Sequence, residues 1–330
     1  MIKPKKILVT RFSALGDVAM TIPVIKQFLS QNQNIEIIFV SRKNVASLFF
    51  GIERLKFYAF EPDSEHKGIM GLFRLFLELK KQKINAYADL HNVLRTHILR
   101  FLFTLNGIPV KKIDKGRAKK KALSRKDNKN KIQLKSNFER YADVFRALGF
   151  EVSIPKLEAF PIRKEQNKIG IAPFAQHKGK IYPLEKMQEI AVYFANKNYE
   201  ILLFGGGKTE KSILQEWTKL HHNISVVSAQ SLADEVEIMR QLAFMISMDS
   251  ANMHLASLAE TAVFSFWGAT HPFAGFLGYR QNEKYIIQQE ELQCRPCSIY
   301  GNKSCYRKDY ACLYSIEPVQ FIKQIENFLK

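Results

Sequence analysis

Short apolar runs, small-residue turns and stretches of helical period follow one another along almost the whole chain. Lys6-Ile-Leu-Val-Thr-Arg11 is the length of a buried strand, the turn Ser13-Ala-Leu-Gly16-Asp17 follows, and residues 18–29 repeat their apolar positions at helical spacing, with Pro23 a local exception. The same reading gives strands at 35–40 and 57–60, a short helix at 45–50, an amphipathic helix at 69–81, a strand ending in Asp89-Leu-His91, and helices at 95–105 and 136–148. Strands alternating with helices specify a parallel, doubly wound sheet.

The alternation pauses over residues 155–167, where two prolines and no clear period predict a linker. It resumes with strands at 168–172, 200–204, 224–227, 244–248 and 262–266, separated by helices at 183–196, 209–220, 233–242 and 252–259. A last helix, 317–329, has no strand after it. The expected fold is therefore α/β: two doubly wound Rossmann-like domains facing a central cleft, with the first at 1–154, the second at 168–316 and a C-terminal helix at 317–330. Ligands of such sheets bind at the carboxyl ends of the strands, so the strand-to-helix turns are where chemistry is expected.

A length of 330 residues suits two domains. No run approaches the 18 to 20 apolar residues of a membrane helix, and the apolar stretch after Lys6 is too short for a signal-peptide core. A cytoplasmic protein is expected. Charge changes this picture in one place. Net charge is +19, and residues 111–135 hold 12 Lys or Arg against Asp114 and Asp127. Such a cluster, including Lys119, Lys120 and Lys121, seeks a polyanion: nucleic acid, an anionic membrane surface or a phosphorylated acceptor, unless it is only a solvated loop. Nucleic acid is disfavoured, because the segment has no aromatic residue to stack bases and no known DNA-binding pattern accompanies it.

Several turns carry candidate chemistry. Asp17 closes the first strand-to-helix turn, where it is either a helix cap or a base. Lys180 precedes a helix start and could aim an ammonium at an anionic leaving group. Asp249-Ser250-Ala251-Asn252-Met253-His254 joins a strand to a helix, whose unpaired N–H groups suit a diphosphate; the plainer reading makes Asp249 or Ser250 an N-cap. Gly268-Ala-Thr270-His-Pro272 carries the same two readings. Gly205-Gly206-Gly207-Lys-Thr209 is not a P-loop, since Leu202 stands where the first glycine is required, nor a dinucleotide fingerprint, since Glu210 holds its last glycine position. It is expected to be a flexible turn that could offer backbone N–H groups. Cys294, Cys297, Cys305 and Cys312 begin with a zinc-like spacing, but the later spacings do not repeat it. Reduced cysteines, with no required metal or cofactor, are the expectation; zinc is the alternative.

Taken in order, Arg11-Phe-Ser13-Ala-Leu-Gly16-Asp17 with Ile22-Pro23, Asp89-Leu-His91-Asn-Val-Leu-Arg95, Lys180-Ile-Tyr-Pro183, Asp249 to His254, Gly268 to Pro272 and Cys294-Arg-Pro-Cys297 resemble the heptosyltransferases of lipopolysaccharide core synthesis, glycosyltransferases of the two-lobed GT-B fold. The resemblance spans nearly the whole chain. It implies an inverting transferase moving heptose from ADP-heptose to a lipopolysaccharide core or lipid A acceptor, at the cytoplasmic face of the inner membrane. It implies Asp17 as base and Lys180 on the donor phosphates. The donor would also meet Gln176, Gly205, Gly206, the turn from Asp249 to His254, Gly268 and Thr270, and the acceptor Arg11, Ser13, His91, Arg95 and Lys119 to Lys121. Ala175-Gln176 and the glycine triplet depart from the pattern of many members. The alternatives within enzymes are a GT-B transferase or an epimerase using another nucleotide sugar; a basic nucleic-acid-binding protein is the alternative outside them.

Overall fold

A computed structural model describes residues 5–330. In chain order, residues 5–147 give β1 (Lys5–Thr10), α1 (Leu15–Ala19), α2 (Thr21–Gln31), β2 (Ile35–Arg42), β3 (Leu55–Phe60), α3 (Gly68–Lys80), β4 (Ala86–Asp89), α4 (Leu94–Leu105), β5 (Val110–Lys112), α5 (Arg117–Leu123) and α6 (Asn137–Ala147), with a 3₁₀ turn at Lys43–Phe49. The remainder gives β6 (Lys168–Ala172), α7 (Leu184–Asn196), β7 (Glu200–Leu203), α8 (Gly207–Trp217), β8 (Ile224–Val226), α9 (Leu232–Arg240), β9 (Phe244–Met248), α10 (Ala251–Leu258), β10 (Val263–Phe266), β11 (Ile286–Ile287), α11 (Ala311–Tyr314) and α12 (Pro318–Leu329).

The strands form two all-parallel sheets, ordered β3-β2-β1-β4-β5 and β11-β10-β9-β6-β7-β8. Parallel strands covered on both faces are apolar throughout, as Ile7, Leu8 and Val9 of β1 and Phe244, Met245 and Ile246 of β9 show by their complete burial. The chain reverses its winding between β1 and β4 in the first sheet and between β6 and β9 in the second. These are the switch points where the strand ends splay apart.

The chain divides into two compact units, Met1–Lys115 with Asn137–Lys156, and Gly116–Ser136 with Leu157–Lys330. Residues 116–135 of the basic segment thus leave the first unit and belong by their contacts to the second, a grouping that differs from the sequence-based division at 154 and 168. Its residues show why. Leu123 and Leu134 are buried with Ala274 in a small apolar cluster, Leu134 N–H bonds the Phe273 carbonyl at 2.9 Å, and the Lys120 ammonium lies 4.2 Å above the Phe276 ring. A solvated loop would bury none of these.

Pro23, an exception within one expected helix, falls in the first turn of α2, where its missing N–H costs no intrahelical bond. The turn at Met20 separates α1 from α2, and the Thr21 hydroxyl donates to the Val18 carbonyl at 2.7 Å. The terminal helix α12 packs on the second unit: Phe321 and Phe328 meet Phe264, and the Tyr193 hydroxyl donates to Glu326 at 2.6 Å.

Candidate functional site

The switch point of the first sheet gathers the turns after β1 and β4. The Arg11 guanidinium is buried, ion-paired to Asp17 Oδ2 at 2.6 Å, and donates through Nη1 to the Leu90 carbonyl at 2.9 Å. Asp17 lies in the first turn of α1 but does not cap it: Ala14 is the N-cap residue, and it makes no side-chain capping bond. The carboxylate instead remains partly exposed, oriented by Arg11. Phe12 stacks on Phe60 at 4.1 Å between ring centres and meets the His91 ring edge-on.

His91 Nδ1 accepts from the Phe12 N–H at 3.3 Å. Burial first, then the positive field of Arg11 and Lys115, pushes His91 down to about 3, so the ring is neutral near pH 7. A neutral ring accepting at Nδ1 carries its proton on Nε2 and can offer a substrate only a donor. Asp89 serves the backbone: its Oδ1 accepts the N–H groups of His91 and Asn92, both at 2.9 Å, and the Thr10 hydroxyl at 3.3 Å. Asp89 is fully buried, with Arg100 Nε 3.4 Å from Oδ2. His91 has no free acceptor atom; Asp89 keeps Oδ2 without a hydrogen bond, but that oxygen is fully buried 3.4 Å from Arg100 Nε, whereas the Asp17 carboxylate is partly exposed. Ser13 and Arg95 are exposed at the same strand ends, and Arg95 forms no ion pair with a described residue.

The switch point of the second sheet joins the turns after β6 and β9. There the Lys180 ammonium stands 3.0 Å from Asp249 Oδ2, with both side chains largely buried. The lysine stem is clamped from above: Gly301, at φ +78°, leaves no room for a side chain, since a Cβ there would fall 2.4 Å from Lys180 Cγ. Ser250 is the N-cap residue of α10 but makes no capping bond, its hydroxyl lying 3.4 Å from that of Ser247. The first N–H groups of α10 therefore have no side-chain cap, as an anion site requires. Ala251, Asn252, Met253 and His254 follow as the first residues of that helix, with Met253 and His254 buried.

The turn at Gly268 is tied to the lysine turn, because the Ala269 N–H donates to the Gly179 carbonyl at 2.8 Å. Arg295, 2% exposed, holds it from behind by donating to the carbonyls of Trp267 at 2.7 Å, Gly268 at 2.6 Å and Thr270 at 3.0 Å. No described carboxylate pairs with it, and burial pushes this guanidinium down to about 10. Arg295 was not a candidate in the sequence, where only its place inside Cys-Arg-Pro-Cys hinted at it. Thr270 Oγ1 is buried with no hydrogen-bond partner among the described residues.

Gln176 is exposed. Gly205 and Gly206 follow β7, one strand along, but the Gly206 N–H is taken by Glu210 Oε2 at 2.7 Å. The expected offer of backbone donors is thus withdrawn there by a carboxylate. Of the three central lysines, Lys119 and Lys121 are exposed and Lys120 is buried.

A cavity of about 340 Å³ in the second unit is lined by Lys131, His271, Phe273, Gln288, Glu290 and Arg295 among others, and touches neither Lys180 nor Asp249. The cavity is therefore distinct from the Lys180–Asp249 pair at the second switch point. The four cysteines line one small pocket beside Arg295. Burial pushes the Cys312 thiol up to about 12 and also raises Cys297. Among the described residues, no three His, Cys, Asp or Glu stand in an arrangement that could hold a metal ion.

The sequence model of glycosyltransferase family 9 (heptosyltransferase) matches residues 57–306. The chain belongs to this family. It is similar to lipooligosaccharide heptosyltransferase 2 of Campylobacter jejuni, 26% identical over 173 residues, a match spanning 50% of this chain and only about half, 53%, of that relative. Lipopolysaccharide heptosyltransferase 1 of Campylobacter coli is 23% identical over 98% of both chains. Among solved structures, the E. coli heptosyltransferase WaaC with ADP superposes with a TM-score of 0.70 at 15% identity, covering 98% of this chain and 99% of that one. These matches give a family 9 glycosyltransferase with the GT-B fold.

Proposed function

We propose that this family 9 member transfers heptose, with inversion, from ADP-heptose to the lipopolysaccharide core or lipid A, the donor held by the second unit and the acceptor by the strand-end residues of the first together with the exposed lysines of residues 111–135. The observation that carries the donor assignment is the Lys180–Asp249 pair at the second switch point, beside a helix start without a side-chain cap. A lysine and unpaired N–H groups at one point suit a diphosphate, and gain most as its bond to the sugar breaks. The ADP bound by WaaC supports the choice of nucleotide. Gln176, Thr270 and the turn from Asp249 to His254 complete the donor contacts.

In the reaction, the acceptor oxygen attacks the anomeric carbon, its proton passes to Asp17, and the electron pair of the carbon–oxygen bond leaves with ADP. Arg11 aims the Asp17 carboxylate, and His91, neutral and protonated on Nε2, donates to the acceptor alongside Ser13 and Arg95. No metal is required, because Lys180 and α10 supply the positive charge. The exposed lysines of residues 111–135, with Lys119 and Lys121 foremost, recruit the anionic acceptor at the inner leaflet, and nucleic acid is not a partner.

Thermal-shift titration with ADP, UDP and GDP tests the donor assignment. A ligand at 100 times its dissociation constant stabilises by about 2.7 kcal/mol, so ADP should raise the melting temperature clearly and the others little. Stabilisation by UDP or GDP and not ADP would refute it. Release of ADP from ADP-heptose only when a lipid A core is added would separate transfer from epimerisation.

A further inference from the structure

The first unit carries apolar side chains where a water-facing helix would carry polar ones. On α3, Ile69, Met70, Phe73 and Leu77 recur at helical spacing on the outer face, with Met70 79% and Ile69 72% exposed. On α4, Leu94, Phe101 and Leu105 do the same, with Leu94 76% and Leu105 68% exposed. The two helices pack side by side, and each also buries a second apolar face, Leu72, Leu75, Phe76 and Leu79 on α3 and Leu99 and Phe103 on α4. The core is thus satisfied without the outer stripes. Contiguous exposed apolar surface of this kind marks a docking face.

We infer that the outer stripes of α3 and α4 form a docking face for an anionic lipid bilayer, separate from the basic segment. Charge decides the occupant. Lys67, Arg74, Lys80, Lys81 and Arg95 are exposed on or beside these helices. The one carboxylate within the two helices, Glu78, is engaged by the Tyr58 hydroxyl at 2.6 Å and by His66 at 3.1 Å, and the exposed Asp63 and Glu65 before Lys67 leave the cations of the face in excess. Phe, Met, Ile and Leu ringed by Lys and Arg are what a helix lying in a headgroup layer presents. A second copy of this chain would instead bring the same cations together across a two-fold axis. No helix among the described residues is long and apolar enough to cross a membrane, so the contact is peripheral.

Position agrees. A helix that connects parallel strands starts at their carboxyl ends, so Ile69, Met70 and Leu94, in the first turns of α3 and α4, lie along the edge that carries His91 and Arg95. This part of the argument rests on the lipid-linked acceptor proposed above: a bilayer at that edge presents such an acceptor to the residues that would bind it.

Co-sedimentation with acceptor-free vesicles tests the face independently of transfer. Vesicles of phosphatidylethanolamine and phosphatidylglycerol should bind the protein at least about tenfold more tightly than phosphatidylcholine vesicles. The triple variant Met70→Ser, Phe101→Ser, Leu105→Ser should weaken that binding about tenfold or more. Its melting temperature, and its turnover on a delipidated, water-soluble acceptor, should stay unchanged, because the three side chains face solvent. Reversal of Arg74, Lys80 and Lys81 to Glu should abolish the preference for anionic vesicles. Binding by the triple variant equal to wild type overturns the inference, as does absence of binding by wild type. Conversion of a wild-type dimer to monomer by the triple variant, with vesicle binding intact, assigns the face to self-association. Failure of ADP-heptose turnover with vesicle binding retained counts against the transferase reading alone.

Discussion

Lys180 and Asp249 stand 3.0 Å apart, in the connections that follow two different strands, β6 and β9, on either side of the one place in the second sheet where the winding reverses. The pairing holds the ammonium in place before any nucleotide arrives. Under the proposed function the lysine has two separable duties, one toward the protein and one toward a leaving group.

Replacing Lys180 with alanine should lower turnover by about 10² to 10³, on the scale of one strong electrostatic donor. ADP affinity should fall much less. The same change leaves the Asp249 carboxylate buried without its cation, at a cost of about 3 kcal/mol. Steady-state kinetics beside a melting curve separates the two effects, and equal losses of ADP affinity and turnover would mean that the lysine only binds.

Asp17→Asn preserves shape and one acceptor oxygen but removes the negative charge and the capacity to take a proton. Turnover should drop by about 10² to 10⁴, with the fold and ADP binding intact. Turnover within a few-fold of wild type would show that the carboxylate only anchors Arg11.

Stability should fall on acidification because of His91. Its folded value of about 3 lies below the ordinary 6.5, so between those values the unfolded chain takes up a proton that the folded protein refuses. The stabilisation is complete above about pH 6.5 and declines as pH drops toward about 3. At pH 5 the loss is about 2 kcal/mol from this ring. His271, pushed down to about 4 mainly by burial, adds in the same direction. Urea unfolding at pH 7 and pH 5 should show a shallower difference for His91→Gln; an unchanged difference would mean the ring is protonated in the fold.

Thiol chemistry should divide the cysteines. With Cys312 pushed up to about 12 by burial, the thiolate that reacts with iodoacetamide is scarce at pH 8. Mass mapping should find Cys312 modified only after unfolding. Rapid modification in the native protein would contradict its burial.

The central lysines should also separate. Lys119→Glu with Lys121→Glu should raise the Michaelis constant for the acceptor without changing the melting temperature. Lys120→Glu should lower the melting temperature, because it sets a carboxylate against the negative face of the Phe276 ring. Equal effects on stability from all three would return the segment to solvent.

Hydrophobic period was enough to read nearly every long element, because strands such as Ile169 to Ala172 and helices such as α7 bury continuous or regularly spaced apolar side chains. It missed β5 and β11, which at three and two residues have no period to detect. It also missed α5, whose Arg117-Ala-Lys-Lys-Lys sequence is disguised by charge and whose place depends on Phe276, far along the chain. Asp17, Lys180 and Asp249 are legible as charged residues in strand-to-helix connections, Lys180 by its place just before a helix start. Their partners were less so: Arg295 acts through backbone carbonyls, and the bond from the Gly206 N–H to Glu210 depends on a turn geometry that the sequence does not encode in residue type alone. His91 and Asp89 carried ambiguous chemistry until their hydrogen bonds were seen.

The excursion of Gly116–Ser136 into the second unit also limits how this protein can be cut and recombined. A single break near residue 156 does not release two autonomous halves, because the C-terminal piece would lose Leu123 and Leu134 and expose Phe273 and Ala274 to water. Chimeras with other family members that exchange everything after that point would pair one protein's Lys120 with another's counterpart of Phe276. A functional exchange needs three junctions, near residues 115, 136 and 156, so that the detour travels with the surface it covers.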